Sequence, residues 1–508
     1  MSFASSSLPL VVAKLKKEKK QKQVRQPPGP WKLPLIGSLH HVLLLGDLPH
    51  RSLTRLSRKY GPLMHLQLGE VPAVVASSLE MAKVITKTHD LAFANRPKLM
   101  VVDLVYYKST DIAFSPYAEY WRQMRRVCIL EMLTRKMVKS FNAIRRDELQ
   151  KMVSSIKHHV SSSSSSSHPV NLFEKVIWFN SAMTCRSAFG TLIDGDQEKF
   201  IGMMREVLTF AGGFELVDMF PSRKWIPYVV GTRSTLLKLH RELDKCYESI
   251  IEKHERNLLR DGCKGNNEAG EEDIVDVLLK LKEDEEGRQY RLTRDNIKAI
   301  INDLFSAGTE TTATAATWAI AEMMRHPNVL VKAQEEVREK LKGKTTFEDD
   351  DMEELAYLKL VVKETLRLHP PIPLLLPRES IEEREIEGFV IPAKTRVIVN
   401  AWAIGRDPDT WTFPDCFWPE RFAYHDADVH GSHFELIPFG VGRRMCPGLA
   451  FGLANVMHSL AVLLYHFDWE LPRGVTPENF DMSETAGLKA TRKNDLCLIA
   501  KLPYSSKQ

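Results

Sequence analysis

Near the C-terminal end, the segment Pro438-Phe439-Gly440-Val441-Gly442-Arg443-Arg444-Met445-Cys446-Pro447-Gly448 runs directly into an apolar helical stretch from Leu449 to about Tyr465. Nothing else in the chain constrains its fold as strongly. Two glycines ahead of the cysteine permit a tight turn and let backbone approach a flat ligand closely. Cys446 falls just before a helix start, where unpaired N–H groups and the helix dipole favour a thiolate. Pro447 gives up one N–H and suits a first-turn position. Arg444, two residues away, can neutralise an acidic group on a ligand. A single cysteine cannot close a zinc site, which takes about four ligands. It can be the lone axial ligand of a haem iron, where sulfur donates electron density that favours O–O cleavage. A buried structural cysteine beside a glycine turn is the plainer reading of a lone cysteine, and the residues around Cys446 weigh against it.

A second feature lies in the middle of a long predicted helix, from Thr293 to about Arg325. Asp295 sits near its start, and His326-Pro327 ends it. Its centre reads Ala307-Gly308-Thr309-Glu310-Thr311-Thr312. Glycine in a helix interior costs about 1 kcal/mol relative to alanine, and Thr and Glu on an apolar helix add a burial cost. Small residues here would let a planar cofactor and a diatomic ligand reach the backbone. An adjacent acid and alcohol can relay protons to dioxygen. The alternative is a helix bent by threonine hydroxyls bonding back to carbonyls one turn earlier.

Composition excludes several classes. The 508 residues carry 70 basic and 65 acidic side chains, a net charge of +5, which gives no footprint for nucleic acid. Cysteines at 128, 185, 246, 263, 416, 446 and 497 form no C-x-x-C pair, so neither a disulfide framework nor an iron–sulfur cluster is expected. Mostly free thiols suit a reducing compartment. Gly440-x-Gly442 continues to Met445 and precedes no βαβ unit, so no nicotinamide or flavin module is evident and electrons must come from another protein. Leu8 to Ala13 is apolar but far shorter than the ~20 residues a membrane span needs. Lys14, Lys16, Lys17, Lys19, Lys20, Lys22 and Arg25 follow, then Pro27-Pro28-Gly29-Pro30. That order suits either a solvated tail or a shortened anchor with cytosolic positive charge and a stiff spacer.

Periodicity predicts helices near 117–134, 137–159, 171–189, 197–212, 233–260 and 272–283, then at Val329–Lys340 and Glu353–Leu368. Leu63–Leu68 and Ala73–Ala76 read as a hairpin, and Glu385–Ile391 and Arg396–Asn400 as further β pieces. Ser161–Ser167 and residues 262–271 read as flexible loops. The balance is mainly α with small β-sheets.

The cysteine segment resembles the haem-binding signature of the cytochrome P-450 family, Phe-x-x-Gly-x-Arg-x-Cys-x-Gly. Phe439, Gly442, Arg444, Cys446 and Gly448 fill each position. The central-helix stretch resembles the family's oxygen-activation motif, with Glu310 as the acid and Thr311 as the alcohol. Trp121 and Arg125 resemble the Trp-x-x-x-Arg pair that meets the haem propionates, and Arg378 matches another propionate position. Glu364 and Arg367 resemble the Glu-x-x-Arg element, with Arg421 completing a buried ion network of structural role. The resemblance runs from about residue 27 to the C-terminus, and its flavour is that of plant microsomal members, terpenoid oxidases in particular.

The resemblance implies a P-450 fold with haem b between the central helix and the cysteine-loop helix, and Cys446 as axial ligand. It divides the chain into an atypical anchor and basic segment (1–26), a proline-rich hinge (27–37) and one catalytic domain (38–508). It implies NADPH used indirectly through an NADPH–cytochrome reductase, with Arg122, Arg126, Lys136 and Arg443 as candidate docking charges. It implies a location on the cytosolic face of the endoplasmic reticulum membrane. Pocket segments at 98–115, 203–220, 299–309, 372–377 and 483–488 offer Leu99, Val101, Val102, Leu104, Phe210, Phe214, Ile300, Leu304, Leu374, Leu375 and Leu488. That wall suits a small hydrophobic substrate. Terpenoid hydroxylation leads, with phenylpropanoid or alkaloid oxidation second. A haem-thiolate isomerase or dehydratase and a non-enzymatic haem sensor are the alternatives in other classes. The acid–alcohol pair argues against both.

Overall fold

The computed structural model describes residues 25–43, 48–162, 168–190, 197–261, 273–283, 291–485 and 487–503. The N-terminal apolar run with its lysines, most of the serine loop and the 262–271 loop lie outside them.

Helices dominate, and the longest organises the rest. The central helix spans Arg294–Arg325, 32 residues, or about 48 Å at 1.5 Å per residue. Thr293 and Asn296 form a reciprocal capping box at its start, and His326 ends it ahead of Pro327. It is buried along most of its length because other helices cover it: Leu172–Phe189, Ala356–Leu368 and Leu449–His466 all pack against it. The Leu449–His466 helix is long and apolar enough to cross a membrane, yet most of it is buried in this core.

Periodicity located the helices but missed their interruptions. The predicted 117–134 helix is Glu119–Val127 followed by a wider π turn at Cys128–Met132. The predicted 137–159 helix breaks at Phe141, between Arg135–Ser140 and Asn142–Ser162. The predicted 353–368 helix begins at Ala356, after a short turn of helix at Asp349–Glu353. The Pro49–Tyr60 helix, with proline at its first position, was not anticipated.

The strands, in chain order, are β1 (Leu63–Leu68), β2 (Val71–Ala76), β3 (Val170–Asn171), β4 (Arg378–Glu379), β5 (Arg384–Ile386), β6 (Phe389–Ile391), β7 (Arg396–Val399), β8 (Asp468–Glu470) and β9 (Cys497–Lys501). The largest sheet has the order β1-β2-β7-β4. β1 and β2 form the expected antiparallel hairpin, Leu63 opposite Ala76. β2 pairs in parallel with β7, Ala73 opposite Arg396, which joins the N-terminal part of the chain to the strand after the central helices. The predicted 385–391 β piece is the β5–β6 hairpin. The proline-rich hinge is docked rather than free: His65 N–H donates to Pro28 O at 2.8 Å, and a Cβ on Gly29 would lie 2.0 Å from His65 O.

Candidate active site

A cavity lies between the central helix and the cysteine segment. The central helix contributes Asp303, Leu304, Ala307, Gly308, Thr311, Thr312 and Ala315. These fall on two i, i+4 rows, 303-307-311-315 and 304-308-312, so one helix stripe makes one wall. Phe439, Gly440, Cys446, Pro447, Gly448 and Phe451 make another. Arg96, Trp121, Arg125, Arg378 and Arg444 gather at its edge.

Backbone hydrogen bonds hold the cysteine loop. Cys446 N–H donates to Phe439 O at 2.9 Å, Gly440 N–H to Ile437 O at 3.0 Å and Met445 N–H to Gly442 O at 3.0 Å. Arg125 Nη2 donates to Met445 O at 2.6 Å. Gly440 and Gly442 have φ of +69° and +71°, a region that favours glycine. Gly440 faces the cavity. Gly442 does not, which corrects the sequence reading: a Cβ there would lie 2.3 Å from Thr86 O, so its close approach is to protein backbone and not to a ligand. The expected thiolate also needs more than a helix start. Burial pushes the Cys446 thiol up, and the Gly448 N–H and the Arg125 guanidinium offset only part of that. A bound metal cation is the charge that would complete it.

The edge is a concentration of buried positive charge. Arg96, Arg378 and Arg444 are all buried. Arg444 donates to Ala94 O at 2.8 Å and Ser115 O at 2.6 Å, and its guanidinium lies 4.1 Å from the Trp121 ring centroid. Trp121 Nε1 donates to Ile112 O at 3.0 Å. Arg378 donates to Val441 O at 3.0 Å. Arg96, which sequence reasoning missed, donates to Ala113, Leu376 and Pro377 carbonyls at 2.7–2.8 Å. Burial lowers Arg444 to about 9, with repulsion from Arg378 next, and burial lowers Arg378 to about 10. Arg96 falls furthest, through burial and then the charges of Arg444 and Arg378. Asp90 lies 3.8 Å from Arg378 but is shared with Arg443, at 2.7 Å. Buried cations at this density suit an anionic ligand. The set of donors — guanidiniums and an indole at one edge, a single cysteine in the wall, a small-residue helix facing it — fits a flat dianionic macrocycle with one axial sulfur.

Thr311 and Glu310 part company. Thr311 lines the cavity, its hydroxyl donating to Ala307 O at 2.6 Å. Glu310 is one residue, hence about 100°, round the helix, and it does not line the cavity. It is buried against Lys489, with Arg205 Nε at 3.5 Å. A direct relay from adjacent acid to adjacent alcohol is therefore not what the geometry offers, because neighbours on a helix face different ways.

Glu364 and Arg367 form a fully buried bidentate pair at 2.7 and 2.8 Å, and Arg421 Nε donates to Glu364 Oε1 at 3.0 Å. Both arginines also donate to backbone carbonyls between Gly405 and Cys416. The network thus fixes the segment upstream of the cysteine loop. Of the expected pocket residues, Leu304 and Leu375 line the main cavity. Phe214, Leu374 and Leu488 line a smaller one that shares Leu375. Val101, Val102 and Ile300 are core residues.

The comparisons with known proteins agree with this geometry. The Cytochrome P450 family model matches residues 27–498. Premnaspirodiene oxygenase of Hyoscyamus muticus is 54% identical over 478 residues, 94% of this chain and 93% of that protein. The 5-epiaristolochene 1,3-dihydroxylase of Nicotiana tabacum is 51% identical, with the same coverage. A zebra fish cytochrome P450 solved with progesterone superposes with a TM-score of 0.72 at 24% identity, covering 90% of this chain and all of that one, and shares the fold. The fold and the cavity define a haem-thiolate enzyme. This chain belongs to the cytochrome P450 family and is a monooxygenase that binds haem b and uses NADPH-derived electrons.

Proposed function

We propose that this monooxygenase inserts one atom of O2 into a terpenoid, hydroxylating or successively oxidising a sesquiterpene or diterpene in plant specialised metabolism. The observation that carries the reading is the identity of 54% and 51%, over nearly the whole chain, to two oxygenases named for premnaspirodiene and 5-epiaristolochene. The cavity supports it: away from the arginine edge, Leu304, Ile372 and Leu375 present apolar surface, which orients a hydrocarbon by shape and excludes water.

Haem, when bound, supplies the oxygen-activating chemistry. The chain's own residues do the rest. Cys446 Sγ would hold the iron. Trp121, Arg125, Arg378 and Arg444, joined by Arg96, would hold the two carboxylates of the macrocycle. Phe439, Gly442 and Gly448 shape the cysteine loop. Thr311 holds a hydroxyl proton at the cavity wall. Glu310, the acid of the pair, sits behind it, ion-paired with Lys489 and with the half-exposed Arg205.

The catalytic domain is residues 38–508 behind the docked hinge. Exposed Trp31 and Leu35 on the hinge, and exposed Trp225, Tyr228 and Val229, support contact with the cytosolic face of the endoplasmic reticulum membrane. Arg122, Arg126 and Lys136 are exposed, and Arg443 is nearly half exposed although paired with Asp90. They support docking of an acidic NADPH–cytochrome reductase. The test is reconstitution with that reductase, NADPH and a panel of terpene hydrocarbons. Oxygenated terpenes that require both NADPH and O2 are expected. Turnover confined to phenylpropanoids or alkaloids would overturn the reading.

A further inference from the structure

Beside the main cavity lies a smaller one whose lining is apolar except at one point. Phe214, Leu374, Leu375, Ile398 and Leu488 supply the apolar part, and Arg396 is the only polar side chain among the described residues that line it. Strand β7 explains how an arginine comes to be there. Side chains alternate along a strand, so Val397 and Val399 turn into one core cluster while Arg396 and Ile398 share the opposite face. All four are buried, and Arg396 is 4% exposed.

The protein uses only part of this guanidinium. Nη1 donates to Gly213 O, and Nη2 donates to Asp218 O at 3.4 Å. Those two bonds brace the 213–218 stretch. Nε has no hydrogen-bond partner. The Asp218 carboxyl is taken up by the Met100 N–H at 2.8 Å. Asp218 and Glu379 act on Arg396 through charge alone, with no ion pair among the described residues. A buried cation with a spare N–H is costly to leave unpaired, and it bonds strongly to an oxygen that reaches it.

The smaller cavity offers about 10 Å³, room for one water-sized group. That size excludes a carboxylate or a ring and admits a single oxygen. Leu375 forms part of both walls, which sets the smaller cavity beside the substrate-facing side of the main one. Its backbone is left-handed, with φ of +52°, a region that leucine rarely adopts.

We propose that this side cavity is a subsite for one oxygen atom of an already oxygenated substrate, a terpenoid alcohol or ketone, with Arg396 Nε as the hydrogen-bond donor. The inference rests on the terpenoid reading and deepens it. It gives the substrate a history, because an earlier monooxygenation must have placed that oxygen. The enzyme's own first turnover supplies such an alcohol. Each turnover converts one C–H to C–OH, and the second atom of O2 leaves as water with two electrons from NADPH and two protons. The alcohol then returns with its oxygen on Arg396 and presents a different carbon to the main cavity.

The test uses haem-loaded enzyme, a bicyclic sesquiterpene hydrocarbon that it oxidises, and the mono-alcohol it forms from that hydrocarbon. Dissociation constants for both ligands are read from the change in haem absorbance on titration. Arg396→Met keeps the bulk of the side chain and removes its donors. The ratio of the alcohol's constant to the hydrocarbon's should then rise about tenfold. Taking the ratio cancels any general loosening of the 213–218 stretch. Gly212→Ala reaches the same end without touching Arg396. Gly212 lines the side cavity, and a Cβ there would meet Leu488 at 3.4–3.8 Å, an ordinary contact that takes up the room of the oxygen. This variant should raise the ratio several-fold. In both variants, doubly oxygenated product should fall several-fold relative to the mono-alcohol. An unchanged ratio in Arg396→Met would defeat the proposal, leaving Arg396 as a brace and the side cavity as a place for water. If Arg396→Met does not fold, Gly212→Ala decides in the same way. If no terpene hydrocarbon is oxidised at all, the terpenoid reading falls first and this inference falls with it.

Discussion

The cofactor edge of the cavity and its substrate-facing wall are built by different forces. At the edge, Arg96 and Arg444 each donate to more than one carbonyl, and the cysteine loop is closed by three backbone bonds. Such bonds are directional, and a buried donor left unpaired costs about 1–3 kcal/mol. Residue type and spacing are therefore fixed together. The substrate-facing wall, Leu304, Ile372 and Leu375, meets the cavity with apolar side chains. Packing tolerates volume-conserving exchange at under about 1.5 kcal/mol. One side of the cavity has to look the same to hold the same cofactor. The other is free to drift with the molecule it receives.

The largest break in this contrast should come from Cys446→Ala, which removes the sulfur proposed to hold the haem iron. Activity and the red-shifted carbon monoxide band should both vanish. Survival of the band in haem-loaded, folded protein would place the ligand elsewhere. Next comes Glu364→Ala, which leaves Arg367 and Arg421 buried without their carboxylate. Such losses cost about 3–5 kcal/mol, read as a drop in unfolding free energy and in haem-loaded fraction. A change under about 1 kcal/mol would mean the network is dispensable.

Thr311→Ala leaves the edge untouched and should keep haem and the carbon monoxide band. It should lower product formed per NADPH by roughly tenfold, about 1.4 kcal/mol. Unchanged coupling would refute the role given to the hydroxyl. The smallest stability effect belongs to Leu304→Val, at about 0.8 kcal/mol for one methylene. Its product ratio should nonetheless shift several-fold, measured by chromatography of terpene products. If Leu304→Val perturbs haem binding as much as Glu364→Ala does, the two regions are not separate.

Legibility in the sequence follows the same divide. The cysteine loop was readable because its bonds are local: Cys446 reaches back only to Phe439. The order of the helices was readable from periodicity. The breaks at Phe141 and just before Ala356 were not, because apolar spacing continues across them. Arg96 was invisible because its three acceptors come from residues 113, 376 and 377, which the chain gives no reason to join. Gly442 was identified by pattern, but its neighbour Thr86 lies far away in sequence. The row 303-307-311-315 can be drawn from helical spacing alone, and it includes Asp303 and Thr311 while excluding Glu310.

The cavity's two walls also set a timetable. The central helix ends at Arg325 and the helix after Cys446 begins at Leu449, nearly a quarter of the chain later. At ordinary synthesis rates that interval is roughly 6–25 s. Through it, the central helix has no cysteine-loop helix to cover it. The Leu449–His466 segment then emerges, apolar enough to enter a membrane. It must find its place against the central helix before it finds lipid or another chain. Until that docking one wall of the cavity is missing, so the site becomes complete only when this late segment joins a helix made well before it.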